Sequence, residues 1–363
     1  MKIAVERKKM FDFSFYNNKK ILITGHTGFK GAWMCKALLK AGAYITGYAL
    51  QPPTEPSLFE ICHLSGQINS IEGDVRDLRH LKKVFDRTQP EIVIHMAAQP
   101  IVRESYQNPV YTYETNVMGT VNVLECIRLT PSVRSVINVT TDKVYLNKEW
   151  SWGYRENEEL NGYDPYSNSK SCSELITSSY IKSFFEDRNV AISTARAGNV
   201  IGGGDFASDR IIPDCIRAAE KREDIIVRNP FSIRPYEHVL EPIAVYLMIA
   251  QKQYMDRVYA GCYNVGPDES DCWTTGKLVT LFCDKWNKAF DGNIKWINKY
   301  DGGPHEANFL KLDCSKLKSV FGWKPRWNVE TTIEKIIEWS TIYMTGTDIS
   351  DCMEKQIEDF FEI

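Results

Sequence analysis

Ile21-Leu22-Ile23-Thr24-Gly25-His26-Thr27-Gly28-Phe29-Lys30-Gly31 is the stretch that decides the fold. An apolar run meets three glycines spaced G-x-x-G-x-x-G, and helical periodicity follows to about Ala41. Glycine allows the tight turn between strand and helix and lets backbone amides come close to a pyrophosphate. The helix N-terminus adds favourable partial charge there. Gly25, Thr27, Gly28, Phe29 and Gly31 are therefore read as a phosphate cradle, against the alternative of an ordinary strand-to-helix turn.

The alternation continues outward. Apolar, β-rich runs at 45–49, 68–72, 92–95, 136–139 and 191–196 are separated by helical segments. Continuous apolar strands between helices predict a parallel sheet covered on both faces. The expected fold is α/β: a doubly wound Rossmann domain binding ligands at the carboxyl ends of its strands, with a smaller α/β substrate lobe. One helix, 110–129, is long. After Arg196 the texture changes to a loop at Gly202-Gly203-Gly204-Asp205, helices at 210–221, 241–251, 275–286 and 329–344, and short strands at 225–227 and 294–297. The expected organisation is an N-terminal extension over 1–18 and a nucleotide-binding domain over 19–200, with a return segment at 238–264. The smaller lobe takes 201–237 and 265–345. The tail at 346–363 carries Asp348, Asp351, Glu354, Glu358, Asp359 and Glu362 against Lys355, and reads as a solvated amphipathic helix or frayed end.

The chain has 363 residues, 43% hydrophobic, with a formal charge of −3. That length supports a full core, and the charge gives no footprint for nucleic acid or an anionic membrane. No apolar run approaches the roughly 18–20 residues of a membrane span. The N-terminal residues are charged where a signal peptide needs an apolar core. Ten scattered cysteines, none spaced as a metal hairpin, read as reduced cytoplasmic thiols, and no metal site is expected.

Two further motifs carry chemistry. Asp164-Pro165-Tyr166 is a helix start, so Tyr166 and Lys170 share one helical face. A nearby ammonium favours the phenolate, and Tyr166 can then take a proton from an alcohol as hydride leaves the same carbon. Thr141, at the end of the 136–139 strand, can bond the same oxygen. Asp142 and Lys143 follow at once, an acid and a base beyond what a simple dehydrogenase needs; a solvated turn pair is the plainer reading. No acid follows the second strand, which runs into Leu50-Gln51-Pro52-Pro53. Asp74-Val75, after the third strand, is placed to hold an adenine edge, unless Asp74 is a helix cap. Ala97, Ala98 and Gln99, after the fourth strand, give a dinucleotide a flat seat, and Asn116 on the long helix is read as a further cofactor contact.

Gly25 to Gly31, Thr141-Asp142-Lys143 and Tyr166-Ser167-Asn168-Ser169-Lys170 together resemble the extended short-chain dehydrogenase/reductase family over residues 18–345. Within it they resemble the nucleotide-sugar 4,6-dehydratases, in particular those acting on CDP-glucose. The resemblance implies NAD as a tightly held cofactor and a nucleoside-diphosphate glucose as substrate. It also implies an internal redox cycle through Tyr166, with Asp142 protonating the hydroxyl that leaves carbon 6. Members acting on dTDP-glucose carry Thr-Asp-Glu, the Glu being the base at carbon 5. Lys143 departs from that pattern and is either the base or a fixed cation beside the enolate. Asn199, Arg234 and His305 fit the pyrophosphate-binding positions and Arg210 is a further candidate, their plain readings being turn Asn, surface Arg and loop His. Family members are homodimers or homotetramers, paired through long helices that here include 110–129 and 166–185. A nucleotide-sugar epimerase or decarboxylase would use the same cradle and Tyr/Lys pair but would not need Asp142. A dinucleotide-sensing protein would need none of Thr141, Tyr166 and Lys170.

Overall fold

Seven parallel strands form the main sheet. In chain order they include β1 (Lys20–Thr24), β2 (Tyr44–Ala49), β3 (Asn69–Glu72), β4 (Ile92–His95), β5 (Ser135–Thr141) and β6 (Ala191–Ala197). The computed structural model describes residues 12–300 and 309–363. Three further strands follow, β7 (Asn199–Ile201), β8 (Ile225–Val227) and β9 (Ile233–His238), and then β10 (Cys262–Val265) returns to the sheet. The spatial order is β10-β6-β5-β4-β1-β2-β3. The chain reverses direction across the sheet between β1 and β4, the switch point at which such folds bind ligands. β4 and β5 are buried at every position, which is why Ile92-Val93-Ile94 and Val136-Ile137 show no apolar–polar alternation.

One face of the sheet is covered by the Phe29–Lys40 and Leu240–Met255 helices, whose Trp33, Leu38, Ile243 and Leu247 are fully buried. The other face packs Leu81, Phe85, Val123 and Ile127 against Leu22, Val93 and Val136. The smaller lobe has its own core around Ile212, Leu278, Phe282, Trp286 and Ile333. It carries a three-stranded sheet, β11 (Cys272–Thr274)-β9-β7, and a parallel pair of β8 with β12 (Trp296–Asn298). Among the described residues, no helix is long and apolar enough to cross a membrane.

Three local outcomes differ from the sequence reading. The long helix is interrupted: Pro109–Tyr113 and Gly119–Leu129 flank a π-helical turn, Glu114–Met118. A second π turn, Ile181–Phe185, ends the Pro165–Tyr180 helix. Periodicity cannot resolve one wide turn inside a helix, and π turns favour functional sites. The acidic tail is neither frayed nor merely solvated. Ser350–Phe361 is a helix that buries Met353, Ile357 and Phe360, an i, i+4, i+7 stripe, in the main core. Two of its acids face the Phe29–Lys40 helix: Glu354 pairs with Lys36 at 2.9 Å, and Glu358 with Lys40. At the other end Tyr16 is also fully buried, its hydroxyl donating to the Leu247 carbonyl.

Candidate active site

The site forms where β1, β4 and β5 end. Thr24 closes β1, and its hydroxyl accepts the Met96 and Ala97 amides at 3.2 Å each while lying 2.7 Å from His95 Nδ1. This ties the first turn of the cradle to the seat after β4. Gly25 has φ +78°, and a Cβ there would lie 2.7 Å from the Ala97 nitrogen. A Cβ on Gly31 would lie 2.3 Å from the Gly25 carbonyl oxygen. These two glycines are thus required by the cradle's packing on itself. Gly28 is different: its nearest neighbour would be the Gly25 oxygen at 3.5 Å, and the helix it opens has no side-chain cap. The first-turn amides are left facing out, as a pyrophosphate needs. Thr27 braces the turn by donating to the Leu50 carbonyl at 3.0 Å. The residues present therefore fit a dinucleotide cofactor.

Other expected cofactor contacts take bracing roles. The Asn116 amide accepts the Gln99 backbone N–H at 2.8 Å and donates to the Gln99 carbonyl at 3.0 Å and to Ser169 at 2.9 Å. The π turn aims Asn116 this way, so it fastens the seat after β4 to the helix bearing Tyr166. Gln99 spends its own amide on Thr112 and on the Ile101 N–H. Asp74 accepts from the Arg76 amide and guanidinium at 2.6–2.9 Å, and the helix cap is Asp77 instead. Val75 is buried against Gly119. At the end of β2, where no acid stands in sequence, Gln51 hydrogen-bonds Glu72 from the neighbouring strand.

The reacting side chains come from two starts. Asp164 caps the Pro165–Tyr180 helix by accepting the Ser167 amide at 2.9 Å, with Pro165 in the first turn. Lys170, 5% exposed, donates to the Val139 carbonyl at 3.1 Å. Thr141 ends β5 and donates to Asp142 Oδ1 at 3.0 Å. Asp142 is buried, and its Oδ2 has no hydrogen-bond partner among the described residues. Burial raises its carboxyl above the ordinary value, against the pull of Lys143, the Thr141 hydroxyl and Arg234. Burial likewise pushes the Tyr166 phenol up to about 12, and the Thr141 hydroxyl and the Arg210 charge pull it back. Lys170 is lowered to about 8, by burial first and the nearby Lys30 charge second. The Arg210 charge thus joins the Thr141 hydroxyl in favouring the Tyr166 phenolate, a contribution the sequence did not point to.

Of the expected substrate contacts, Arg210 and Arg234 are brought to the reacting residues, Arg210 held by Asp205 at 3.1 Å. Asn199 lies in β7, opposite Tyr236 of β9. His305 lies outside the described residues.

This geometry has known counterparts. Residues 22–336 match the family model described as GDP-mannose 4,6 dehydratase. A CDP-glucose 4,6-dehydratase of Salmonella typhimurium is 46% identical over 357 residues, covering 97% of this chain and 98% of that protein. The chain belongs to the GDP-mannose 4,6 dehydratase family. Two solved structures share its fold. A dTDP-glucose 4,6-dehydratase of Bacillus anthracis in complex with NAD has TM-score 0.73 and 20% identity, covering 92% of this chain and 99% of that one. A UDP-glucose 4-epimerase of Thermotoga maritima with UDP-glucose has TM-score 0.75 and 19% identity, covering 89% and 99%.

Two residues of this dehydratase-family site were not read from the sequence. Lys30, inside the cradle, donates to the Tyr246 hydroxyl at 3.3 Å. Burial lowers it to about 8, while Glu237 and Asp142 pull it up. Glu237, 3% exposed on β9, has one oxygen without a partner among the described residues, and burial holds its carboxyl far above the ordinary range. The available signals were a charge where a cradle helix packs on the core, and an acid inside Ile233-Arg234-Pro235-Tyr236-Glu237-His238.

Proposed function

We propose that this chain is a lyase that converts CDP-D-glucose to CDP-4-keto-6-deoxy-D-glucose and water, with NAD as its cofactor. The observation that carries the reading is Asp142. A buried carboxyl, raised toward its neutral form, stands beside Thr141 with one oxygen uncommitted. Expelling a hydroxyl needs such an acid; inverting a hydroxyl at carbon 4 does not. The Salmonella typhimurium relative, a CDP-glucose 4,6-dehydratase across nearly the full length, supports the choice of sugar nucleotide.

Gly25, Gly28, the amides opening the Phe29–Lys40 helix, and Ala97 and Ala98 would hold the cofactor, with Lys170 on its ribose. A bound NAD would supply there a reversible hydride acceptor, within reach of carbon 4 and carbon 6 of the glucosyl unit. Tyr166, whose phenolate the Thr141 hydroxyl favours, takes the proton of the carbon 4 hydroxyl. The ketone so formed acidifies the proton on carbon 5, and Lys143 removes it. Asp142 gives its proton to the carbon 6 oxygen, the carbon–oxygen bond breaks, and water leaves. Lys143 then returns its proton to carbon 5, and the proton that Tyr166 took passes by way of the Thr141 hydroxyl to Asp142, so each group ends the cycle as it began it. Arg210, Arg234, Asn199 and His305 hold the diphosphate, the arginines by their forked donors.

The working form is a homodimer or homotetramer in the cytoplasm. The ten cysteines are free thiols, which supports a reducing compartment. Val110, Met118, Leu175 and Phe184 are 46–70% exposed on the two helices that carry π turns, an apolar face suited to a second copy.

A panel of nucleoside-diphosphate sugars tests the substrate. Turnover of CDP-glucose to a 4-keto product should exceed that of dTDP-glucose, UDP-glucose and GDP-mannose by at least about tenfold, roughly 1.4 kcal/mol in transition-state binding. Equal rates across the panel would show that the cytidine assignment is wrong.

A further inference from the structure

Glu174 lies one turn beyond Lys170 on the same helix, and its side chain is 1% exposed. Its carboxylate accepts four hydrogen bonds. Thr140 donates at 2.5 Å and Thr194 at 2.7 Å, and Arg196 donates through Nε at 3.0 Å and Nη2 at 2.9 Å. Thr140 immediately precedes Thr141 on β5, and Thr194 and Arg196 lie on β6. Arg196 continues outward through Nη1, to the Tyr145 hydroxyl at 2.8 Å and the Glu156 carbonyl at 3.0 Å. The Tyr145 hydroxyl donates to Asn264 at 2.6 Å, and Asn264 donates to the Tyr154 carbonyl at 2.7 Å and the Asp313 carbonyl at 3.1 Å.

Stability alone does not account for such a pair. Desolvating two charges costs about as much as their attraction returns, and a well-packed apolar pair of similar volume is often as stable or more so. What the ion pair adds is direction. A bidentate arginine–carboxylate contact, with two hydroxyls on the same carboxylate, allows one placement of the helix against β5 and β6. That placement sets Lys170 against the Val139 carbonyl and brings Tyr166 to Thr141.

We propose that Glu174, clamped by Arg196, is a positioning residue of the reaction: it keys the Tyr166–Lys170 face of the helix to Thr141 and Asp142 at the end of β5. The inference rests on the dehydratase reading for its kinetic test, but not for its chemical one.

The test is the double variant Glu174→Leu/Arg196→Met of the full chain, loaded with NAD. It should melt at or near the wild-type temperature. Its kcat on CDP-glucose should fall at least about tenfold while KM stays within about twofold, the pattern for a lost transition-state arrangement. A second readout needs no substrate. Lys170 is faced by Lys30, His95 and Glu174, and Glu174 alone of these favours its ammonium. The pH at which Lys170 becomes reactive to an acylating reagent, followed by mass spectrometry, should therefore move down in the variant. A folded double variant with kcat within about twofold of wild type, or an unmoved Lys170 profile, would overturn the proposal. If the double variant does not fold, Thr140→Val/Thr194→Val decides, because it keeps the ion pair and removes two of the four bonds. A several-fold loss of kcat supports the keying role, and unchanged kcat overturns it. Wild-type protein that makes no 4-keto product while the Lys170 profile shifts as expected would sink the substrate reading and leave the positioning role standing.

Discussion

Tyr166→Phe should slow the first step of the reaction by about 10³–10⁴-fold and leave the fold intact. The phenol oxygen is the group that takes the carbon 4 proton, and a positioned acid–base group contributes about 10²–10⁴-fold. The loss should approach the upper end of that range, because the alternatives are poor. Thr141 commits its hydroxyl proton to Asp142, and Lys170 donates to the Val139 carbonyl. The check is a single-turnover mixing experiment that follows reduced-nicotinamide absorbance. The variant should bind the cofactor as wild type does, yet form the reduced cofactor slowly. Unchanged hydride removal would take Tyr166 out of the chemistry.

Lys143→Met should separate the first step from the second. Lys143 follows Asp142 in the short turn that Thr141 caps, and it is half-buried beside that acid. Methionine keeps the stem and removes the amine. Hydride removal from carbon 4 should persist, elimination should stop, and exchange of the carbon 5 proton with solvent should cease. If Lys143 is instead a fixed cation stabilising the enolate, exchange should persist at a rate lowered by about 10²–10³-fold, the scale for losing one preorganised charge. Mass spectrometry of recovered substrate distinguishes the two. Wild-type exchange and turnover would leave Lys143 a solvated turn residue.

The sheet was legible in the sequence because strands buried on both faces leave a simple trace. The 92–95 run is β4 to the residue, and Gly25 and Gly31 stand where a backbone must meet a backbone. The start of the Tyr166 helix was legible for a local reason, since Asp164 and Pro165 are a cap and a first-turn residue whatever lies around them. Long-range partnerships were not legible. Glu174 and Arg196 are 22 residues apart, and their pairing depends on two strands and a helix meeting. Asn116 was read as a cofactor contact; its bonds to Gln99 and Ser169 were not legible, because the π turn that carries it leaves no mark on helical periodicity. The tail is an amphipathic helix, as one of its two readings had it, but its docking in the core was not legible, because its charges are conspicuous while the stripe of Met353, Ile357 and Phe360 is short. Lys30 and Glu237 were passed over because each lies inside a motif already read for another residue.

The central claim is that one hydride leaves carbon 4 and returns to carbon 6 of the same sugar. CDP-glucose carrying deuterium at carbon 4, mixed with unlabelled CDP-glucose and turned over by the wild-type protein, tests it most directly. The account predicts that deuterium appears at carbon 6 of the 4-keto-6-deoxy product only in molecules that began labelled. Deuterium lost to solvent, deuterium scrambled into the unlabelled molecules, or free reduced cofactor accumulating in step with product would contradict it.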